Sequence, residues 1–235
     1  MWKMLVYDYH SYFDHQSVFM IKKSRKEKEK KARRDLIIDS ALQVMKEKGF
    51  ENATMDEIAE AAEMGKGTLY LYFESKTALY LAISERGARL LNQQIARILV
   101  QEATGLELIE KIGFVYLDFI RDNPLFFTAF NYFEHVVNEG KMAGTSLIDD
   151  CNTHAREAMA YIVRALQIGM QDGSIKSTID PRMLGIIIWG ASRGVMHMAF
   201  LKQQNSHLQL LDDVEYDLNT LVTGFINLLR TGMKK

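Results

Sequence analysis

The sequence predicts an all-α protein, and three observations carry that prediction. Only two prolines occur in 235 residues, which permits long helices because proline inside a helix costs about 3 kcal/mol. Apolar residues recur at steps of three and four along most of the chain, the spacing of one helix face. No convincing alternation of apolar and polar residues, the pattern of a strand, appears. We expect an N-terminal three-helix domain followed by a larger helical domain.

Composition indicates a soluble, cytoplasmic protein. With 48% hydrophobic and 25% charged residues, the chain can bury an ordinary globular core. The single cysteine, Cys151, cannot form an intrachain disulfide, which favours a reducing compartment. The most apolar stretch, 186–201, contains Arg193 and His197 and is shorter than the roughly 20 residues of a membrane span. Charged residues interrupt residues 1–19, so no signal peptide is expected.

A block of positive charge lies near the N-terminus. Between Lys22 and Arg34, nine lysines and arginines stand against two glutamates. Such a block is either a solvated arm or an arm that binds phosphates. Residues 1–21 before it are expected to be a disordered extension with no predicted role. Met20 directly precedes the block, and we consider it a candidate for the true start.

Three helices are predicted after the basic block. The first is marked by apolar residues at steps of three and four that stop at Gly49, namely Ile37, Ile38, Ala41, Leu42 and Met45. The second begins with a capping box, in which the Thr54 hydroxyl accepts from the amide of Glu57 and the Glu57 carboxylate reaches back. A tight turn at 63–65 follows. In the third helix Leu69 and Phe73 share one face while Tyr70 points elsewhere, and Ser75 caps the next helix.

Two short helices joined by a tight turn, behind a longer helix and a basic arm, are the geometry of a helix-turn-helix DNA-binding domain. The stretch 54–73, TMDEIAEAAEMGKGTLYLYF, followed by ESKTAL, closely resembles the DNA-binding motif of the TetR (AcrR-like) family of bacterial transcriptional regulators. Residues 37–50 resemble that family's first helix. The resemblance covers residues 33–83 and is otherwise one of architecture.

Two residues depart from the family's pattern. Glu63 stands where the family often has glycine, so we expect a strained turn there. Gly65 stands where serine or threonine often caps the recognition helix. Glycine is an acceptable N-cap, and its presence costs only a few tenths of a kcal/mol.

The resemblance implies that one group of residues contacts operator DNA: Lys66, Gly67, Thr68, Tyr70, Tyr72 and Lys76. The lysines would neutralise phosphates, the hydroxyls would bond phosphates or base edges, and Gly67 would allow close backbone approach. Thr54 would hold a phosphate at a helix N-terminus. For Tyr70 and Tyr72 the alternative is packing inside the small domain.

Several kinds of chemistry are not supported. The run 65–68 resembles part of a nucleotide-binding P-loop, but that motif needs a glycine where Glu60 stands and a preceding strand. Cys151 and His154 could share a metal ion, but two ligands do not make a site. No serine, histidine and carboxylate group of a hydrolase is identifiable. We therefore expect no enzyme activity, no cofactor and no metal.

The second domain is predicted to hold six helices. Their expected ranges are 75–99, 106–121, a helix beginning at Pro124, 146–171, a helix from Pro181 to about 202, and 212–230. The helix after Pro124 is unusually aromatic. Its aromatic residues are either core or part of an apolar effector pocket. The proposed pocket residues are Tyr116, Phe119, Phe127, Phe130, Tyr132, His135 and Arg156.

The last two helices are candidates for a dimer interface. In the family, the corresponding helices pair with those of a second subunit as a four-helix bundle, and the alternative is burial within one subunit. The resemblance therefore implies a homodimer held by Ile186, Trp189, Gly190, Leu218, Leu221 and Phe225.

These features predict a transcriptional repressor that a small molecule releases from a palindromic operator. Residues 22–80 would form the DNA-binding domain, with the motif at 54–73, and residues 81–235 the ligand-binding and dimerisation domain. The partners would be double-stranded operator DNA, a second copy of the chain and a small apolar or amphipathic effector, with no membrane. The alternative is an architectural or partner-controlled DNA-binding protein without a small-molecule effector.

Overall fold

The structure is a computed structural model that describes the backbone of residues 9–140, 142, 144–203 and 217–234. Within these ranges it describes the side chains of residues 25–201 and 217–234. Every regular element in these ranges is a helix, so the all-α prediction is confirmed. The helices are α1 (Tyr9–Lys48), α2 (Met55–Ala61), α3 (Lys66–Tyr72), α4 (Lys76–Leu99), α5 (Gly105–Asp122), α6 (Pro124–Asn138), α7 (Ser146–Asp172), α8 (Pro181–Gln203) and α9 (Leu218–Lys234).

The chain divides into two compact units, residues 1–80 and 81–235. In the first unit α1 packs on α2 and α2 on α3. The apolar faces predicted from spacing form its core, where Ile37, Ile38, Ala41, Ile58 and Leu69 are buried.

The first helix is longer than the sequence pattern indicated. It begins at Tyr9, so the backbone of residues 9–21 is helical where a disordered extension was expected. The reason is that no proline or glycine interrupts residues 9–48, and the helix ends only where Gly49 takes a φ of +90°. Residues 1–8 lie outside the described residues. The basic block is therefore part of a helix rather than a frayed arm.

In the second unit α5 packs on α7, α7 on α8, α8 on α9, and α9 on α5. Gly105, the first residue of α5, meets the α7 backbone at Gly169, where a Cβ would collide. Pro124 begins α6 as predicted, and Gly173 ends α7 with a φ of +79°. The last helix runs over 218–234 instead of 212–230, and residues 212–216 lie outside the described part.

Within the described residues, the segment 181–201 of α8 is long and apolar enough to cross a membrane by length and composition. The sequence argument that this stretch is too short was wrong, because the helix begins at Pro181. One face of α8 is nevertheless buried in the unit, through Leu184, Ile188, Met196 and Ala199. Only 28% of this apolar window is buried in the unit, and a single helix of this kind is weak evidence for a membrane span.

Candidate DNA-binding surface and ligand cavity

The start of α2 carries the predicted capping box. The Thr54 hydroxyl accepts from the amide of Glu57 at 3.3 Å, and the Glu57 carboxylate accepts from the Thr54 amide at 3.0 Å. Lys48 at the end of α1 also donates to Glu57. The hydrogen bond from Lys48, followed by those from Thr54, lowers the pKa of Glu57 to about 2. The carboxylate therefore stays ionised, and the α2 terminus stays capped, well into acid.

The turn between α2 and α3 is strained at the predicted residue. Glu63 has a φ of +52°, a left-handed conformation that favours glycine because a Cβ crowds the backbone. Gly65 is the N-cap of α3 and supplies no side-chain hydrogen bond. The two departures from the family's pattern thus lie in the turn that sets the angle of α3.

The exposed side of α3 carries most of the predicted DNA-binding residues. Thr54, Lys66, Gly67 and Tyr70 are exposed, and Thr68, Tyr72 and Lys76 are partly exposed. Leu69 and Phe73 are buried, and the Arg34 guanidinium lies 4.7 Å from the centre of the Phe73 ring. Tyr70, which is 41% exposed, is not packed in the core of the unit. Leu71 is also exposed on α3, at 82%. Its position off the buried face of Leu69 and Phe73 makes this exposure predictable from the sequence.

The two predicted lysines already have acceptors within the chain. The Lys66 ammonium lies 2.7 Å from the Asp56 carboxylate, and this pairing raises the pKa of Lys66. Lys76 donates to the carbonyl oxygen of Glu51 at 2.6 Å and lies 5.3 Å from the centre of the Tyr80 ring. Lys66 is exposed, so its ion pair is weak and a phosphate can compete for the ammonium. Lys76 also ties the start of α4 to the segment after α1.

The second unit contains a partly open cavity of about 200 Å³, and all six helices α4 to α9 line it. Most of the wall is apolar, with aliphatic side chains such as Leu91, Ile112 and Ile188 and aromatic ones such as Phe130 and Trp189. Such a cavity suits a ligand whose body is apolar.

Polar groups of the cavity wall join pairs of helices at three places. Glu110 on α5 forms a two-fold hydrogen bond with Arg230 on α9. Glu134 on α6 pairs with Arg193 on α8.

The third place joins α4 to α7. The Asn92 amide donates to the Glu157 carboxylate at 2.8 Å and to the His154 carbonyl at 2.9 Å. The His154 ring lies between Glu85, at 3.3 Å, and Glu157, at 3.2 Å. Hydrogen bonds from Tyr161 and Asn92 lower the pKa of Glu157.

The structure brings only some of the predicted pocket residues to this cavity. Tyr116 and Phe130 line it. Phe119 instead stacks on Phe126, with ring centres 5.7 Å apart, and Phe127 stacks on Phe200 at 5.0 Å.

The three remaining pocket candidates do not line the cavity either. Tyr132 packs against the small core cluster of Leu81, Val136 and Ile148. His135 is exposed and pairs with Glu139 at 3.2 Å. Arg156 is exposed and donates to Thr153. The polar cavity residues Glu110, Glu134, His154 and Arg193 were not predicted, because the pattern of a single helix does not show which helices face each other.

The predicted interface residues also divide into two groups. Ile186 and Gly190 lie on an exposed face of α8, together with Met183 and Ile187. Leu218 is buried in the unit, Leu221 is partly buried, and Trp189 and Phe225 line the cavity. On α9 the exposed apolar residue is Leu228, at 69%.

Comparisons with known proteins agree with the helix-turn-helix geometry. The family profile described as bacterial regulatory proteins, tetR family, matches residues 37–83, from the middle of α1 into α4. The uncharacterized HTH-type transcriptional regulator YhgD of Bacillus subtilis is 25% identical over 156 residues, which cover 66% of this chain and 78% of that protein. The fatty acid metabolism regulator protein of Bacillus subtilis is 21% identical over 206 residues, 88% of this chain and 98% of that protein.

A solved structure shares the fold over most of the chain. The transcriptional regulator FadR from Bacillus subtilis, crystallised in complex with stearoyl-CoA, aligns with a TM-score of 0.61 and 21% identity, covering 84% of this chain and 98% of that one. Together with the motif at 54–73 and the all-helical architecture, these likenesses confirm the resemblance seen in the sequence. Residues 37–83 are the DNA-binding domain of a TetR-family transcriptional regulator.

Proposed function

We propose that this regulator is a repressor that binds a palindromic operator as a homodimer and leaves it when a small apolar or amphipathic molecule occupies the cavity. The observation that carries the proposal is the course of α4. This helix begins at Lys76, directly after the recognition helix α3, and supplies cavity-lining residues from Ser84 to Ile95. A ligand that shifts α4 therefore acts on the helix that follows the DNA-binding motif.

DNA binding is assigned to the exposed residues around α3. Lys66 and Lys76 would contact phosphates, the N-terminus of α2 at Thr54 would hold another, and Thr68, Tyr70 and Tyr72 would reach phosphates or base edges in the major groove. Gly67 is exposed, and a Cβ added there would have no neighbour within 4 Å, so the backbone at this position can approach DNA closely. The ordered basic helix at 25–34 would add charge neutralisation.

Dimerisation is assigned to the exposed apolar face of α8 and α9. Met183, Ile186 and Ile187 are each at least half exposed, and so is Leu228. Large exposed apolar side chains grouped on one face are typical of protein interfaces. On the same two helices Gly190, Gly194 and Gly224 have open space around them, which would let a partner helix approach closely. Residues 81–235 would thus bind both the effector and the partner.

The effector class follows from the cavity and from a relative. The walls are mainly apolar, and the FadR structure named above contains stearoyl-CoA. We infer that the part of the effector inside the cavity has an apolar body with one polar group, as the acyl thioester end of stearoyl-CoA does. Such a ligand lowers operator affinity only to the extent that it binds more tightly to the conformation that does not bind DNA. The resulting loss of operator affinity is typically about 5- to 150-fold.

The relatives named above are transcriptional regulators, and we infer that this chain acts in the cytoplasm and catalyses no reaction. Fluorescence anisotropy with a palindromic duplex tests the proposal. The dimer should bind the palindrome more tightly than a single half-site, and stearoyl-CoA should weaken binding within the range given above. Equal affinity for both duplexes would contradict the operator model, and operator binding that no apolar or amphipathic ligand changes would favour the architectural alternative.

Two substitutions test the docking of α3. Lys66→Ala should weaken binding to all DNA sequences and reduce the salt dependence of the binding constant by the equivalent of about one phosphate contact. Tyr70→Phe, which removes one hydroxyl, should lower operator affinity about 3- to 10-fold. Lys176→Ala, at an exposed lysine of the second unit, is the control and should bind as the parent does. Unchanged binding by both α3 variants would contradict the docking model.

A further inference from the structure

Among the described residues, one arginine and no lysine lines the cavity, and a carboxylate already balances its charge. Arg193 on α8 has a side chain only 20% exposed and pairs with the Glu134 carboxylate. A second guanidinium nitrogen donates to the Asn131 side-chain oxygen at 2.5 Å. Both acceptors lie on α6, so this helix takes up the charge and part of the donor capacity of Arg193.

Tyr116 on α5 lines the same cavity. Tyr116 is partly exposed, and within the described part of the chain no group hydrogen-bonds its hydroxyl, which is open to a partner in the cavity. Burial raises the pKa of Tyr116 to about 12, with Arg193 opposing the rise and Glu134 adding to it. The hydroxyl is therefore protonated at neutral pH and is available to donate a hydrogen bond to a ligand.

The remaining charged groups at the cavity are acidic or already paired. Glu110 is held by Arg230, and the His154 ring lies between Glu85 and Glu157. A ligand carboxylate would lose its hydration, meet these acids and find no unpaired arginine or lysine in the described cavity wall. An uncharged acceptor such as a carbonyl oxygen avoids that cost and can accept from Tyr116.

We propose that the cavity selects apolar molecules that carry an uncharged carbonyl group, with Tyr116 as the hydrogen-bond donor and Glu134 as the residue that rejects free carboxylates by occupying Arg193. This inference rests on the proposed function of the cavity as an effector site and names the chemical class that the site accepts. Esters, thioesters, amides and ketones belong to that class, and the corresponding free acids do not.

Three probes with one apolar body test the selection. Methyl hydrocinnamate carries an uncharged carbonyl, hydrocinnamate carries a carboxylate, and pentylbenzene carries no polar group. Their phenyl rings suit the aromatic part of the wall at Phe130, Phe133 and Phe225. Binding is followed by the fluorescence of Trp189, which lines the cavity and becomes the only tryptophan in a Trp2→Phe background.

The ester should bind at least about tenfold more tightly than the carboxylate, since like charges brought together in a binding site cost several kcal/mol. Tyr116→Phe should weaken ester binding about 3- to 10-fold, the worth of one hydrogen bond, and leave pentylbenzene binding unchanged. If Tyr116→Phe weakened the binding of the ester and of pentylbenzene equally, the substitution would have changed the packing, and the role of Tyr116 would be overturned. Failure of the ester to bind the parent protein would overturn it as well.

Glu134→Gln keeps the shape of the side chain and frees the charge of Arg193. The preference for the ester should then shrink by about tenfold or invert, because the guanidinium can bind the carboxylate. An unchanged preference would overturn the role of Glu134. These titrations contain no DNA and therefore test ligand selection separately from operator release. An ester that binds as expected but does not release the operator would contradict the proposed function and leave the proposed preference for uncharged carbonyl groups intact.

Discussion

At the scale of single residues, position on a helix decides what a side chain does. Leu69 and Phe73 lie on the buried face of α3, while Tyr70, one residue from Leu69, is 41% exposed. The helical period predicts this division from sequence. The period does not predict that Lys66 pairs with Asp56 or that Lys76 bonds the Glu51 carbonyl. Those contacts depend on how α3 packs on α2 and on where the start of α4 meets the segment after α1, which a one-dimensional pattern does not contain.

The strained turn gives a prediction at the residue scale. Glu63→Gly should stabilise the protein by up to about 1 kcal/mol, because glycine adopts a φ of +52° without the crowding of a Cβ. Glu60→Gly, in the neighbouring α2, is the matched control and should destabilise by about 1 kcal/mol, the ordinary cost of glycine in a helix. Chemical denaturation measures both. Destabilisation of similar size in both variants would show that Glu63 bears no strain.

At the scale of elements, the caps and breakers made the helices predictable. Thr54 caps α2, Pro124 begins α6 and Gly173 ends α7, all as predicted from sequence. The start of α1 was not predictable in this way, because residues 9–36 contain no proline or glycine and no regular apolar period that would mark where the helix begins. The contact of α5 with α7 was equally hidden, since a glycine in a sequence does not reveal which backbone approaches it.

That contact gives a prediction at the element scale. Gly105→Ala should destabilise the protein by about 1 to 3 kcal/mol, because the added Cβ would meet the backbone at Gly169 and α5 or α7 would have to shift. Gly232→Ala, in α9 with open space around it, should instead leave stability unchanged or raise it by up to about 1 kcal/mol. Thermal unfolding compares the two variants. A Gly105→Ala variant as stable as the parent would contradict the close approach.

At the scale of the whole molecule, the sequence predicted the family resemblance and the all-helical fold, but only part of the cavity wall. Tyr116 and Phe130 line it as predicted, whereas Glu110, Glu134, His154 and Arg193 were missed. The missed residues come from four different helices, and only their packing brings them together.

Assembly gives the prediction at this scale. Ile187→Lys should break the proposed dimer, because it places a charge in an apolar interface. Sedimentation should then give a 27 kDa particle, where the parent gives twice that mass. Val100→Lys, at an isolated residue that is 84% exposed, is the control and should remain dimeric. A dimeric Ile187→Lys variant with parental stability would place the interface elsewhere.

Two copies of the α3 helix should bind a palindrome with sequence specificity. The most direct measurement is the selection of binding sites from random duplex DNA with the purified protein at two salt concentrations. We predict a palindromic consensus whose half-site centres lie about 34 to 36 Å apart, one turn of the double helix, and which persists at the higher salt. Recovery of no consensus, with binding that falls steeply with salt for every sequence, would contradict the claim.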